Sequence, residues 1–145
     1  MQDLPHRYHV SASAEAEGNI VLKAENLPQL ISASPAQFGG PGDQWSPEDL
    51  LVASVTDCFI LTFRAVARAS KLDWSNLEAS AEGLLERVDR VTRFTKITLS
   101  VTLTVPEGTD IGKAERLLEK AEAACLITNS LTAETHLETD VIIAT

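Results

Sequence analysis

The sequence is short of cysteine, of glycine and proline, and of positive charge, and each shortage removes a class of protein. Two cysteines in 145 residues cannot build the dense disulfide framework of a small secreted scaffold. Seven glycines and six prolines, without period or clustering into a linker, exclude collagen and low-complexity disorder. Twelve Lys and Arg against 21 Asp and Glu give a formal charge of −9. No Lys/Arg cluster offsets it, so a phosphate backbone would be repelled and nucleic acid is not an expected partner. The start, Met1-Gln2-Asp3-Leu4-Pro5-His6-Arg7, lacks the basic region, apolar stretch and small-residue cleavage site of a signal peptide, which predicts a cytoplasmic protein. The most apolar run, residues 50–63, contains Asp57 and is followed by Arg64. It falls short of the roughly 20 apolar residues that cross a bilayer, so it reads as a buried helix and no membrane partner is expected.

What is present is the composition of an ordinary globular domain, 44% hydrophobic and 23% charged. With no internal repeat, residues 1–145 read as a single domain. Residues 8–14 alternate Tyr8, Val10, Ala12 and Ala14 with His9, Ser11 and Ser13, the period of a half-buried strand. Glu17-Gly18-Asn19 reads as a hairpin turn, Ile20-Val21-Leu22 as a second strand and residues 30–33 as a third, together a small antiparallel sheet. Gly39-Gly40-Pro41-Gly42-Asp43 is a loop leading to Ser46-Pro47-Glu48-Asp49. That tetrapeptide supplies an N-capping hydroxyl, a proline at the first helical position and acids in the first turn. The helix it opens should run to about Ala69 or Ser70, roughly 35 Å. Its first half is apolar on nearly every side, which predicts surrounding protein, and Trp45 and Trp74 should anchor its two ends. Residues 77–88 and 92–105 read as long paired strands, residues 111–125 as an amphipathic helix and residues 136–144 as a last strand. The arrangement is α+β.

The chemistry-bearing residues are few. Cys58 lies mid-helix in Thr56-Asp57-Cys58-Phe59, where a thiol is either a small hydrophobe or a protected reactive group. Cys125 ends a helix in Ala123-Ala124-Cys125-Leu126, where a backbone break can present its sulfur to a neighbouring element. A structural disulfide between them would contribute on the order of 4 kcal/mol in the chain-entropy picture, but a reducing compartment favours free thiols or a reversible pair. His6, His9 and His136 do not fall at zinc-ligand spacing with the cysteines, so no metal is expected. Phe38 and Trp45 are candidates to line an apolar substrate entrance.

Gly39-Gly40-Pro41-Gly42, Ser46-Pro47-Glu48-Asp49-Leu50-Leu51, Cys58 ten residues after Glu48, and residues 121–125 followed by Thr128-Asn129-Ser130-Leu131 make the sequence resemble the OsmC/Ohr family of thiol-dependent hydroperoxide reductases. The resemblance implies antiparallel sheets packed around a long central buried helix, in an intertwined homodimer whose interface holds the active sites. It implies that Cys58 is the peroxidatic thiolate, Cys125 the resolving thiol and Glu48 a residue that orders the site. It further implies an organic hydroperoxide substrate, an external dithiol reductant such as a lipoyl protein, and no bound cofactor. Attack by Cys58 would give a sulfenic acid that Cys125 captures as a disulfide before overoxidation. An apolar helix by itself raises a thiol pKa, so the thiolate needs support. In the family an arginine held by the glutamate supplies it, from the N-terminal sheet or the loop before the helix. Residues 9–46 contain no arginine here, leaving Lys23 and Gln37 as candidates in that stretch and Arg7, Arg64 and Arg68 as candidates elsewhere, while Arg87, Arg90 and Arg93 at the strand connection read as solvated. Two other classes stay open: a noncatalytic relative that binds a small apolar ligand, and a thiol redox sensor using the same cysteine pair.

Overall fold

Three short strands occupy the first third of the chain in the computed structural model, which describes residues 1–145. They are β1 (Ser11–Ser13), β2 (Ile20–Lys23) and β3 (Leu30–Ser32), paired antiparallel in the order β1-β2-β3. Gly18 supports the first hairpin at φ 95°, a conformation glycine reaches without steric cost. β1 is shorter than the alternation over residues 8–14 predicts. Tyr8 and Val10 are exposed, so no buried face extends the pairing to them. After β3, the Ala33 N–H donates to the Trp45 carbonyl at 2.9 Å. Gly40 is required by close approach, since a Cβ there would lie 1.7 Å from the Ser34 carbonyl oxygen.

The chain divides into two compact units, Met1–Leu50 and Leu51–Thr145, with the helix α1 (Pro47–Ala69) beginning in the first and continuing through the second. Its start follows the sequence closely. The Asp49 N–H donates to Ser46 Oγ at 3.0 Å, while the Ser46 N–H and hydroxyl donate to Asp49 Oδ2 at 3.2 and 2.8 Å. This reciprocal capping satisfies backbone donors that the first turn would otherwise leave unpaired.

The second unit contains β4 (Asn76–Val88), β5 (Val91–Val105), α2 (Ile111–Ala124), α3 (Leu126–Asn129) and β6 (Glu134–Ile143), with the strands in the order β4-β5-β6. β4 and β5 pair antiparallel through a two-residue turn, Asp89 and Arg90, both at positive φ, whose twist suits a tight hairpin. The antiparallel expectation fails at β6, which runs parallel to β5 from Lys96↔Glu134 to Val105↔Ile143. Parallel neighbours need a long crossover, and α2 and α3 provide it. Ile97, Leu99, Leu103 and Val105 of β5 are fully buried, as are Ala114, Leu118 and Ala121 of α2, and together with α1 they form one core.

α1 contributes Val55, Phe59, Phe63 and Ala67 to that core, a single stripe at four-residue spacing. Within one chain the helix is therefore not surrounded, contrary to the reading from composition, and Leu61 is 55% exposed. By length and composition α1 could cross a membrane, yet its inward stripe is fully packed in the protein core. Trp74 anchors the C-terminal end as expected, its ring meeting Phe63 edge-on at 5.5 Å and 63°. Trp45 does not act as a buried anchor, being 50% exposed; its backbone, rather than its ring, is tied down.

Candidate active site

Cys58 precedes the buried Phe59 on α1, and successive helical residues point about 100° apart. The thiol therefore sits at the border of the inward stripe, half-buried and free. Cys125 reaches the same place from α2. Asp110 caps the start of α2 by accepting from the Lys113 N–H at 3.1 Å, and the buried Leu118 and Ala121 fix the helix against the core. At Cys125 the backbone turns extended, with φ −65° and ψ 111°, so this residue closes α2 and opens α3. Its carbonyl accepts from the Asn129 N–H at 3.0 Å and the Thr128 hydroxyl at 3.1 Å. The break in the helix is thus held by its own hydrogen bonds, and the Cys125 side chain is fully buried.

The same break frees the first amides of α3. Burial pushes the Cys58 thiol up, but hydrogen bonds from the Ile127 amide, the Cys125 thiol, the Thr62 hydroxyl and the Leu126 amide outweigh it. The Cys58 pKa falls below its ordinary value of 9.0. Every group that lowers it is neutral, and the Thr62 Oγ1 lies 3.8 Å from Sγ. The two free thiols thus lie together, and the one on α1 ionises more readily than an ordinary cysteine.

The second unit therefore brings Cys58 and Cys125 together. Its exposed Arg64 and Arg68 line a shallow groove of about 380 Å³ with Leu72, Asp73 and Trp74, and neither is among the groups acting on Cys58. The other candidates lie in the first unit. Glu48 stands in the first turn of α1 with its Oε2 buried and without a hydrogen-bond partner. Phe38 and Trp45 are both largely exposed, at 60% and 50%. Lys23 and Gln37 are exposed. In place of the cation expected from the sequence, Cys58 meets Thr62 and the amides of Leu126 and Ile127, none of which stands out in the sequence. The four-residue spacing from Cys58 to Thr62 was the available signal, since such pairs share a helix face.

Comparison with known proteins supplies an independent line. A family model described as OsmC-like protein matches residues 40–140. The uncharacterized protein YmaD of Bacillus subtilis is 25% identical over 138 residues, covering 92% of this chain and 91% of that protein. Peroxiredoxin OsmC of Escherichia coli is 28% identical over 93 residues, 64% of each chain. Among solved structures, an OsmC-like protein of unknown function from Vibrio cholerae superposes with a TM-score of 0.84 at 17% identity, covering 94% of this chain and 100% of that one. An organic hydroperoxide resistance protein OsmC from Legionella pneumophila gives 0.75 at 23% identity, with coverage of 97% and 99%. At these identities the structural likeness establishes a shared fold.

Proposed function

We propose that this chain, which belongs to the OsmC-like protein family, is a thiol-dependent peroxidase that reduces organic hydroperoxides through Cys58 and Cys125. The observation that carries the reading is the convergence of two free thiols, one of them with a lowered pKa, at the α1 and α2–α3 junction. The Cys58 thiolate attacks the terminal peroxide oxygen; an S–O bond forms as the O–O bond breaks, and the departing alkoxide takes a proton to leave as the alcohol. The sulfenic acid then condenses with the Cys125 thiol, forming the disulfide and releasing water. An external dithiol, such as a lipoyl protein, reduces that disulfide by two thiol exchanges. No step calls for a metal or an organic cofactor.

The working form is a cytoplasmic homodimer in this reading. Two features support a second copy: the exposed apolar Leu61 on α1 and the unpartnered buried oxygen of Glu48. A buried carboxylate oxygen without a donor is costly, so Glu48 serves to order the site once a donor reaches it. Phe38 and Trp45, exposed apolar surfaces in the first unit, are the side chains assigned to the hydroperoxide's apolar portion. The test is peroxide consumption driven by a dithiol. Cys58→Ser should abolish turnover, whereas Cys125→Ser should complete one round and then overoxidise at Cys58. Equal turnover by the Cys58→Ser protein would remove Cys58 from the reaction.

A further inference from the structure

Three hydroxyls on α1 sit near sulfur or carbonyl acceptors, and they do not behave alike. The Ser54 hydroxyl donates to the Leu51 carbonyl at 2.6 Å, and that of Thr56 to the Ala53 carbonyl at 2.8 Å. Such bonds back onto the helix are the usual fate of a helical Ser or Thr. Thr62 differs, because its partner is Cys58 Sγ at 3.8 Å, one turn earlier on the same face. Once the sulfur is a thiolate it has no proton to give, so the hydroxyl must be the donor. A hydroxyl that faces sulfur in place of a backbone carbonyl is placed to donate to the thiolate and to orient it.

We propose that Thr62 is a positioning residue for Cys58, its hydroxyl holding Sγ against the turn between α2 and α3 so that the amides of Leu126 and Ile127 and the Cys125 thiol converge on it. The consequence for peroxide reduction rests on the peroxidase reading; the placement of the sulfur does not. The groups facing Cys58 are the Thr62 hydroxyl from α1 and the Cys125 thiol and the Leu126 and Ile127 amides from the turn, with no Lys, Arg, His, Asp or Glu among them. The chain thus supports a thiolate with a constellation of neutral donors to which its own helix contributes one member.

The experiment is alkylation of the reduced full-length protein by iodoacetamide across pH, read at the Cys58 peptide by mass spectrometry so that Cys125 does not contribute. Thr62→Val removes the hydroxyl at nearly constant shape. The midpoint of the profile should move to higher pH, and the rate below both midpoints should fall about tenfold, the size of one charge-assisted hydrogen bond. Thr62→Ala, a better helix former, should show the same change, so poor folding of one variant does not hide the result. Thr62→Ser should restore the parent profile to within about twofold. A Val or Ala profile that superposes on the parent's overturns the assignment, as does a Ser variant that behaves like Val. Because alkylation requires no peroxide turnover, a shifted profile supports Thr62 even in a protein that reduces no hydroperoxide.

Discussion

Phe59, the buried neighbour of Cys58 on α1, anchors the helix in the core, and its truncation gives a sharp structural test. The ring is fully buried in the core shared by α1, β5 and α2, and its neighbours in the α1 stripe, Val55 and Phe63, are equally enclosed. Phe59→Ala removes a whole ring from a site closed on all sides, so the loss of transfer free energy adds to the cavity term, about 3–5 kcal/mol in all. Against a total stability of about 5–15 kcal/mol this is a large fraction. For a chain of this length each kcal/mol moves the melting temperature by roughly 2–4 °C, so thermal unfolding followed by circular dichroism should show a drop of roughly 6–20 °C. Phe59→Leu, which keeps most of the volume, should cost far less. The Cys58 thiol next to it should lose its aim at the turn in the Ala variant, and slower alkylation at fixed pH should accompany the lower melting temperature. A drop below about 3 °C would refute the reasoning, because it would mean that the stripe does not carry α1.

Gly83 on β4 faces α1, where an added Cβ would lie 2.8 Å from both the Phe94 ring and Val52 Cγ2; Gly83→Ala should therefore destabilise by about 1–3 kcal/mol in denaturant unfolding, and a neutral result would show that the sheet shifts freely. The depressed pKa of Cys58 also links stability to pH. Below its folded midpoint both states hold the proton, and as pH rises toward 9.0 the folded state releases it first. The stability of the reduced parent relative to Cys58→Ser should thus grow on raising the pH through that window and should be lost on lowering it; a difference that shrinks as pH rises would contradict the donor arrangement. Since those donors are neutral, alkylation by uncharged iodoacetamide should change little between about 0.05 and 1 M salt, whereas a several-fold fall would expose a screened cation at the thiolate.

Much of the fold could be read from local signals. Ser46-Pro47-Glu48-Asp49 set the start of α1 because capping is decided within four residues, and the alternation from Ile97 to Val105 marked β5 because one face of it is buried throughout. Long-range choices were less visible. The direction of β6 depends on where α2 and α3 deliver the chain, and nothing in the Glu134–Ile143 segment itself distinguishes parallel from antiparallel pairing. The apolar run of α1 suggested burial on all sides because composition does not say which face a single chain covers; only Val55, Phe59, Phe63 and Ala67 are enclosed. At the site, both thiols were legible from the helix middle and the helix end. The support for the thiolate was not, because backbone amides carry no residue type and become visible only when the extended Cys125 breaks the helix.

If Cys58 and Cys125 form one redox couple, a single oxidation must join them. The reduced protein is treated with one equivalent of an organic hydroperoxide, and in parallel with hydrogen peroxide, and its peptides are followed over seconds by mass spectrometry. Both thiols should be lost rapidly into a Cys58–Cys125 disulfide, faster with the organic hydroperoxide. Survival of both thiols, or oxidation of Cys58 to higher acids without a disulfide to Cys125, would contradict it.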